Sequence, residues 1–147
     1  MMTQENISDI LEIQKLCGQI SKSEGNASEM KRFFAQNAQY SIYYGDKKFL
    51  ELTGMKYFES SIKKLSSMVK RSHCLNGQHI IDFVTKGTAT GLLFCRLVQI
   101  TEESGIEMIT EHCIYHEDIY EKQKGIWLIR ARDTHFLISD KRALGAQ

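Results

Sequence analysis

The sequence contains no proline in 147 residues. Average usage of about 5% would place roughly seven. No loop is therefore stiffened by a proline ring, and no slow cis-proline step limits folding. Proline is also the residue that central strands exclude, so its absence suits a chain rich in long strands. Neither sign of charge dominates: 19 Lys and Arg stand against 18 Asp and Glu, a formal net charge of +1. That balance argues against a strongly basic nucleic-acid binder and against an acidic solvating tail. No apolar run approaches the roughly 18 residues of a membrane span. The opening residues, MMTQENISD, lack the basic-then-apolar order of a secretory signal. Four cysteines (Cys17, Cys74, Cys95, Cys113) are widely spaced and form no C-x-x-C pair. Free thiols in a reducing cytoplasm are expected, with no structural metal site and no cofactor.

What is present fits one domain over residues 1–147, long enough to bury a full core without staples. Ile7, Ile10, Leu11, Leu16, Cys17 and Ile20 recur at helical spacing. Gly25-Asn26 breaks that pattern, and Asn26 with Glu29 forms a capping-box signature for a short second helix through Met30, Phe33 and Phe34. Strand-like runs follow at Ala38 to Tyr44 and Phe49 to Leu52. Met55, Phe58, Ile62, Leu65 and Val69 then make one apolar stripe on a third helix. Beyond Lys70 the pattern is strands: His73 to Val84, Thr88 to Thr101, Ile106 to Glu121 and Ile126 to Ile138. Asn76-Gly77 inside the first of these fits either a hairpin turn or a bulge. The tail from 139 to 147 is polar and expected to be loose. Helices first and a meander last is an α+β order.

Tight four-residue turns would pair Thr101 with Ile106 and Glu121 with Ile126. Arg96 then meets Glu111, Glu117 meets Arg130 and Tyr115 meets Arg132 on one face, a set of favourable cross-strand pairs. The opposite face carries Leu93, Cys95, Leu97 and Gln99, then His112, Ile114 and His116, then Trp127, Ile129, Asp133 and His135. It is mostly apolar with a few convergent polar groups, the description of a small-molecule pocket. On this register His112 faces His135, and Asp133 has His112 and His116 on its diagonals.

These elements resemble the nuclear transport factor 2-like superfamily, and within it the SnoaL-like group that includes polyketide cyclases and scytalone dehydratase. The resemblance rests on F34-A-Q-N-A-Q-Y40, T53-G-M-K-Y-F58, H73-C-L-N-G-Q-H-I-I81, Y115-H-E117 and G125-I-W-L-I-R-A-R132, and it covers nearly the whole chain. It implies a cone-shaped, curved antiparallel sheet wrapped around three N-terminal helices. It also implies either an internal pocket for a small, mainly apolar molecule or a non-catalytic dimeric binding or assembly module, since one fold hosts many functions. His73 matches the position of the family's catalytic histidine. Ser23 stands where dehydratase-like members carry an Asp, no Tyr is near it, and Gln99 stands where a second histidine is found.

The expected site therefore has His73 as general acid/base, with Asp133 and His116 assisting a cofactor-free isomerisation, dehydration or cyclisation. His112, Gln99, Ile114, Trp127 and His135 would line the pocket. A buried Asp133 would need a histidine partner or would titrate high. His112 and His116 are four apart on a strand, a separation of about 13 Å, so they do not share one ion directly. Arg96, Glu111, Tyr115, Glu117, Arg130 and Arg132 form an outer ion-pair ladder suited to a homodimer face. No nucleic-acid or membrane partner is expected.

Overall fold

A single six-stranded sheet, in the order β2-β1-β6-β5-β4-β3, wraps the helices. The computed structural model describes residues 4–145, except the side chain of Glu5. The elements are α1 (Gln4–Lys22), α2 (Ala27–Lys31), β1 (Phe34–Tyr44), β2 (Lys47–Thr53), α3 (Phe58–Ser66), β3 (Val69–Thr85), β4 (Thr88–Glu103), β5 (Ile106–Gln123) and β6 (Ile126–Ala143). All neighbouring pairs are antiparallel except β1 and β6, which run parallel. The architecture is the expected α+β cone, with the long C-terminal meander as its wall.

Local chemistry explains the elements. Asn26 caps α2, its side chain accepting the Glu29 backbone N–H at 3.2 Å. The helix ends at Lys31, short of Phe33, and β1 starts directly at Phe34. α1 buries Ile13, Leu16, Cys17 and Ile20 against the sheet, while Ile7 and Leu11 remain exposed. α3 begins at Phe58 and seats Phe58 and Ile62 in the core. Phe58 packs against Phe34 and Tyr40 with ring centroids 4.9 and 5.5 Å apart.

The hairpin turns are tighter than the sequence suggested. Ser104-Gly105 and Lys124-Gly125 both have positive φ at two successive residues, the signature of a two-residue type I′ turn. Glu103 therefore pairs with Ile106, and Gln123 with Ile126. On the first hairpin the register moves by two, which keeps every side chain on its expected face. Arg96 now stands opposite Cys113 and reaches Glu111 diagonally, at 3.3 Å.

Bulges do the rest. Asn76-Gly77 lies in a bulge inside continuous β3, with the register shifting between Asn76 and His79. On β6 one residue, Arg130, is unmatched between Ile129, opposite Tyr120, and Ala131, opposite Ile119. A one-residue insertion reverses the alternation beyond it. Trp127 and Ile129 point into the core before the bulge, and Arg132 and Thr134 point inward after it. The expected inward positions of Asp133 and His135 are overturned for that reason, as are the pairs Glu117–Arg130 and Tyr115–Arg132. Glu117 faces Asp133 and Tyr115 faces His135 instead. The tail also differs: β6 continues to Ala143, paired with Met108, so residues 139–143 belong to the ladder. Residues 146 and 147 lie outside the described residues.

Candidate functional site

A half-open cavity of about 140 Å³ lies between α2, α3 and the inner face of the sheet. An apolar cavity of about 150 Å³ admits a molecule the size of benzene, so this space suits a single ring. Ile42, Leu97, Ile114 and Phe136 form apolar walls, and Ile62 and Leu65 of α3 complete the enclosure. The polar lining comes from Glu24, Tyr40, Tyr44, Ser66, Cys74, Cys95, Gln99, His112, His116 and Thr134.

Several of these groups form one chain. The Tyr40 hydroxyl hydrogen-bonds Thr134, and burial pushes its pKa up to about 12. Thr134 Oγ1 is 2.8 Å from His116 Nδ1, and His116 Nε2 is 3.5 Å from Cys95 Sγ. Burial, helped by the Arg132 charge, lowers the His116 pKa to about 3. His116 is therefore neutral near pH 7 and serves as a hydrogen-bonding group rather than a proton reservoir. His112 is held by Ser139, with Nδ1 to Oγ at 2.6 Å. Glu24, just after α1, is the cavity's carboxyl group. Burial raises its pKa to about 6, against the pull of Arg132. A carboxyl poised near the working pH exchanges a proton readily.

Outside the cavity lining, the core holds a charged cluster. Arg132 donates from Nε and Nη2 to the two oxygens of Asp118, both at 2.8 Å. Tyr120 donates to Asp118 Oδ2 at 2.8 Å. That uses the hydroxyl proton, so His79 Nε2, 2.9 Å from the Tyr120 oxygen, is the donor of that pair. Cys17 Sγ lies 3.4 Å from the same oxygen and accepts from Arg132 at 3.7 Å. Burial would raise the Asp118 carboxyl, but the Arg132 charge and hydrogen bonds outweigh it and hold it below the usual range. The cluster ties α1, β3, β5 and β6 together and faces inward on itself. Gly91 makes room for it: a Cβ there would sit 2.6 Å from Tyr120 Cε2.

The sequence-predicted residues divide cleanly. His112, His116, Gln99 and Ile114 line the cavity. Trp127 is buried elsewhere, its Nε1 donating to Asp9 at 2.9 Å. His73 is exposed on the outer face of β3, opposite Val98, because it precedes the bulge on the outward alternation. Asp133 faces outward beside Glu117; burial raises its carboxyl, against the pull of His135. His135 stacks between Tyr43 and Tyr115, with centroids 4.8 and 4.4 Å away, and its Nε2 is 2.9 Å from Glu117. His73, Asp133 and His116 thus do not converge on one point. Of the expected outer ladder, Arg96, Glu111, Tyr115, Glu117 and Arg130 do lie on that face, whereas Arg132 is buried.

Glu24, Cys74, Asp118, Tyr120 and Arg132 were missed. Asp118 and Tyr120 were within reach, since they continue the inward series His112, Ile114, His116. Arg132 and Cys74 were hidden by the bulges next to them. Among the described residues, no three His, Cys, Asp or Glu side chains gather to hold a metal ion. No described helix is long and apolar enough to cross a membrane.

Comparison with known proteins agrees with this architecture. A protein from Novosphingobium aromaticivorans, provisionally named a scytalone dehydratase, superposes with a TM-score of 0.80 at 17% identity, covering 99% of both chains. The hexachlorocyclohexane dehydrochlorinase LinA-type3 of Novosphingobium barchaimii superposes at 0.79 and 10% identity, over 97% of this chain and 95% of that one. The beta subunit of an aromatic-ring-hydroxylating dioxygenase, so named provisionally, from N. aromaticivorans gives 0.73 at 11% identity, over 90% and 92%. At these identities the likeness establishes the fold alone. No curated protein sequence matches the chain. The SnoaL-like domain model, in contrast, matches residues 5–133, and with the cone and its lined cavity in view, the chain belongs to the SnoaL-like domain family.

Proposed function

We propose that this protein binds a small, mainly apolar, single-ring molecule in the cone and moves a proton on it without a cofactor. The observation that carries this is Glu24, a carboxyl with a pKa of about 6 on the lining of an otherwise largely apolar cavity. Glu24 takes or gives the proton. Neutral His116, fixed by Thr134, orients a carbonyl or hydroxyl through hydrogen bonding. In this reading His116 assists, and His73 and Asp133 take no part, since neither lines the cavity. The similar structures include proteins named for removal of water and of hydrogen chloride, reactions in which a proton is transferred. A cytoplasmic setting suits the four free thiols.

The test is a thermal-shift screen of single-ring carbonyl compounds, followed by proton–deuterium exchange at the carbon beside the carbonyl. A binder at 100 times its Kd stabilises by about 2.7 kcal/mol. For a chain of this size that raises Tm by roughly 5–10 °C. Glu24→Gln should keep the shift and lose the exchange. A panel with no shift, or exchange unaffected by Glu24→Gln, refutes the proposal.

A second reading has its own observation. Leu75, Phe94 and Leu137 line an apolar groove on the outer sheet face, and Phe94 packs on Tyr115 with centroids 6.1 Å apart. Such a face suits a homodimer through β3, β4 and β5, with Arg96 and Glu111 at its rim. Sedimentation of the wild type against Phe94→Glu separates dimer from monomer.

A further inference from the structure

Two of the four thiols share the cavity wall. Cys74 on β3 is opposite Leu97, and Cys95 on β4 is opposite Asn76, so the two cysteines are diagonal neighbours on the inner face. The right-handed twist of paired strands draws one diagonal together, and here Cys74 packs against the small cluster of Cys95, Leu97 and Ile114. Both side chains line the cavity, which opens to solvent. Cys95 is also 3.5 Å from His116 Nε2, and Cys74 is beside Asn76, which α1 anchors through Ser21 at 2.8 Å. Cys17 is buried in the charged cluster, and Cys113, paired with Arg96 while its neighbour Ile114 pairs with Cys95, is on the opposite face of the sheet.

We propose that Cys74 and Cys95 form an oxidisable dithiol in the cavity wall, which a hydroperoxide converts to a disulfide tying β3 to β4. Cys74 is the attacking sulfur. It is the more exposed of the two thiols, whereas Cys95 is buried, so a peroxide meets it first. The Cys74 thiolate attacks the peroxide oxygen, the O–O bond breaks, and Cys74 becomes a sulfenic acid while the departing oxygen leaves as water. The Cys95 sulfur then displaces the sulfenic hydroxyl, which leaves as water with the Cys95 proton. In sum, two thiols and one hydrogen peroxide give one disulfide and two waters. The register of β3 shifts between Asn76 and His79, two residues beyond Cys74, where a bulge interrupts the ladder that the bond would distort. Cys17 is excluded, its pKa raised to about 11 by burial. Oxidation removes both S–H groups from the lining and takes the thiol away from His116. Its effect on a bound molecule rests on the binding reading above; formation of the disulfide does not.

The experiment treats the reduced full chain with hydrogen peroxide, blocks remaining thiols with N-ethylmaleimide, and maps peptides by mass. The expected product has lost two hydrogens, contains a Cys74–Cys95 linked peptide and reverts with dithiothreitol. Cys113→Ser should leave it unchanged. Cys95→Ser should instead stop at a Cys74 sulfenic acid that dimedone traps. A disulfide through Cys17 or Cys113, or oxidation in which Cys74 and Cys95 stay fully alkylatable, overturns the proposal. Phenylarsine oxide gives a check that needs no variant. One equivalent should bridge the two sulfurs of the reduced wild type and protect both from alkylation, and failure to do so counts equally against the pair.

Discussion

Removing the Asp118 carboxylate should be the most damaging single change to the charged cluster. Asp118 and Arg132 are each 3% exposed, and the carboxylate accepts two hydrogen bonds from Arg132 and one from Tyr120. Asp118→Leu leaves a buried guanidinium whose remaining hydrogen-bond partner among the described residues is the Cys17 sulfur. Breaking a buried pair from one side costs about 3–5 kcal/mol. At roughly 2–4 °C per kcal/mol for a chain near this size, Tm should fall by about 6–20 °C. Replacing both charges by apolar residues is often close to neutral. The double variant Asp118→Leu/Arg132→Leu should therefore recover at least about 2 kcal/mol relative to the sum of the single variants. Urea unfolding followed by circular dichroism and Trp127 fluorescence measures all four proteins. The wild type should also show an acid limb. The folded-state pKa of Asp118 is depressed, so its stabilisation is fully present above the unfolded value near 3.9 and is lost as pH falls through the lower folded value. A single-variant loss under about 1 kcal/mol, or no recovery in the double variant, would refute the view that this pair is a mutually dependent unit.

Glu24 has the opposite pH dependence. Its folded pKa of about 6 lies above the ordinary 4.5, so its relative stabilisation is present below 4.5 and is lost as pH rises through 6. Glu24→Gln should remove that slope and stabilise the protein at pH 8 by at most about 2 kcal/mol, less for the carboxyl's partial exposure, as read from urea midpoints at pH 5 and 8. His116 should show no imidazole titration by NMR between pH 8 and 5, because its pKa is near 3; the stability held by the neutral ring should fade as pH drops from about 6.5 toward 3. A titration midpoint above 5 would contradict its burial. Gly91→Ala should displace the fully buried Tyr120 ring and cost about 1–3 kcal/mol, whereas Gly18→Ala, where a Cβ meets nothing within 4 Å, should be neutral or stabilising.

The sequence by itself determined the order of elements, the α2 cap at Asn26, and the inward faces of β4 and β5 as far as His116. Those features follow from local pattern: turn residues, helical spacing and strand alternation, each readable within a dozen residues. The tertiary structure decided the site. One unmatched residue, Arg130, sends Asp133 and His135 outward and brings Arg132 and Thr134 in. The bulge after Asn76 leaves His73 exposed while Cys74 lines the cavity, diagonal to Cys95. A bulge is chosen by how two strands fit a curved, twisted wall, and alternation read along one strand carries no record of it. The missing proline fits this picture. It left every strand free to hydrogen-bond along its length, and the curvature that cone closure requires was supplied by bulges, which set the faces of the residues that line the cavity.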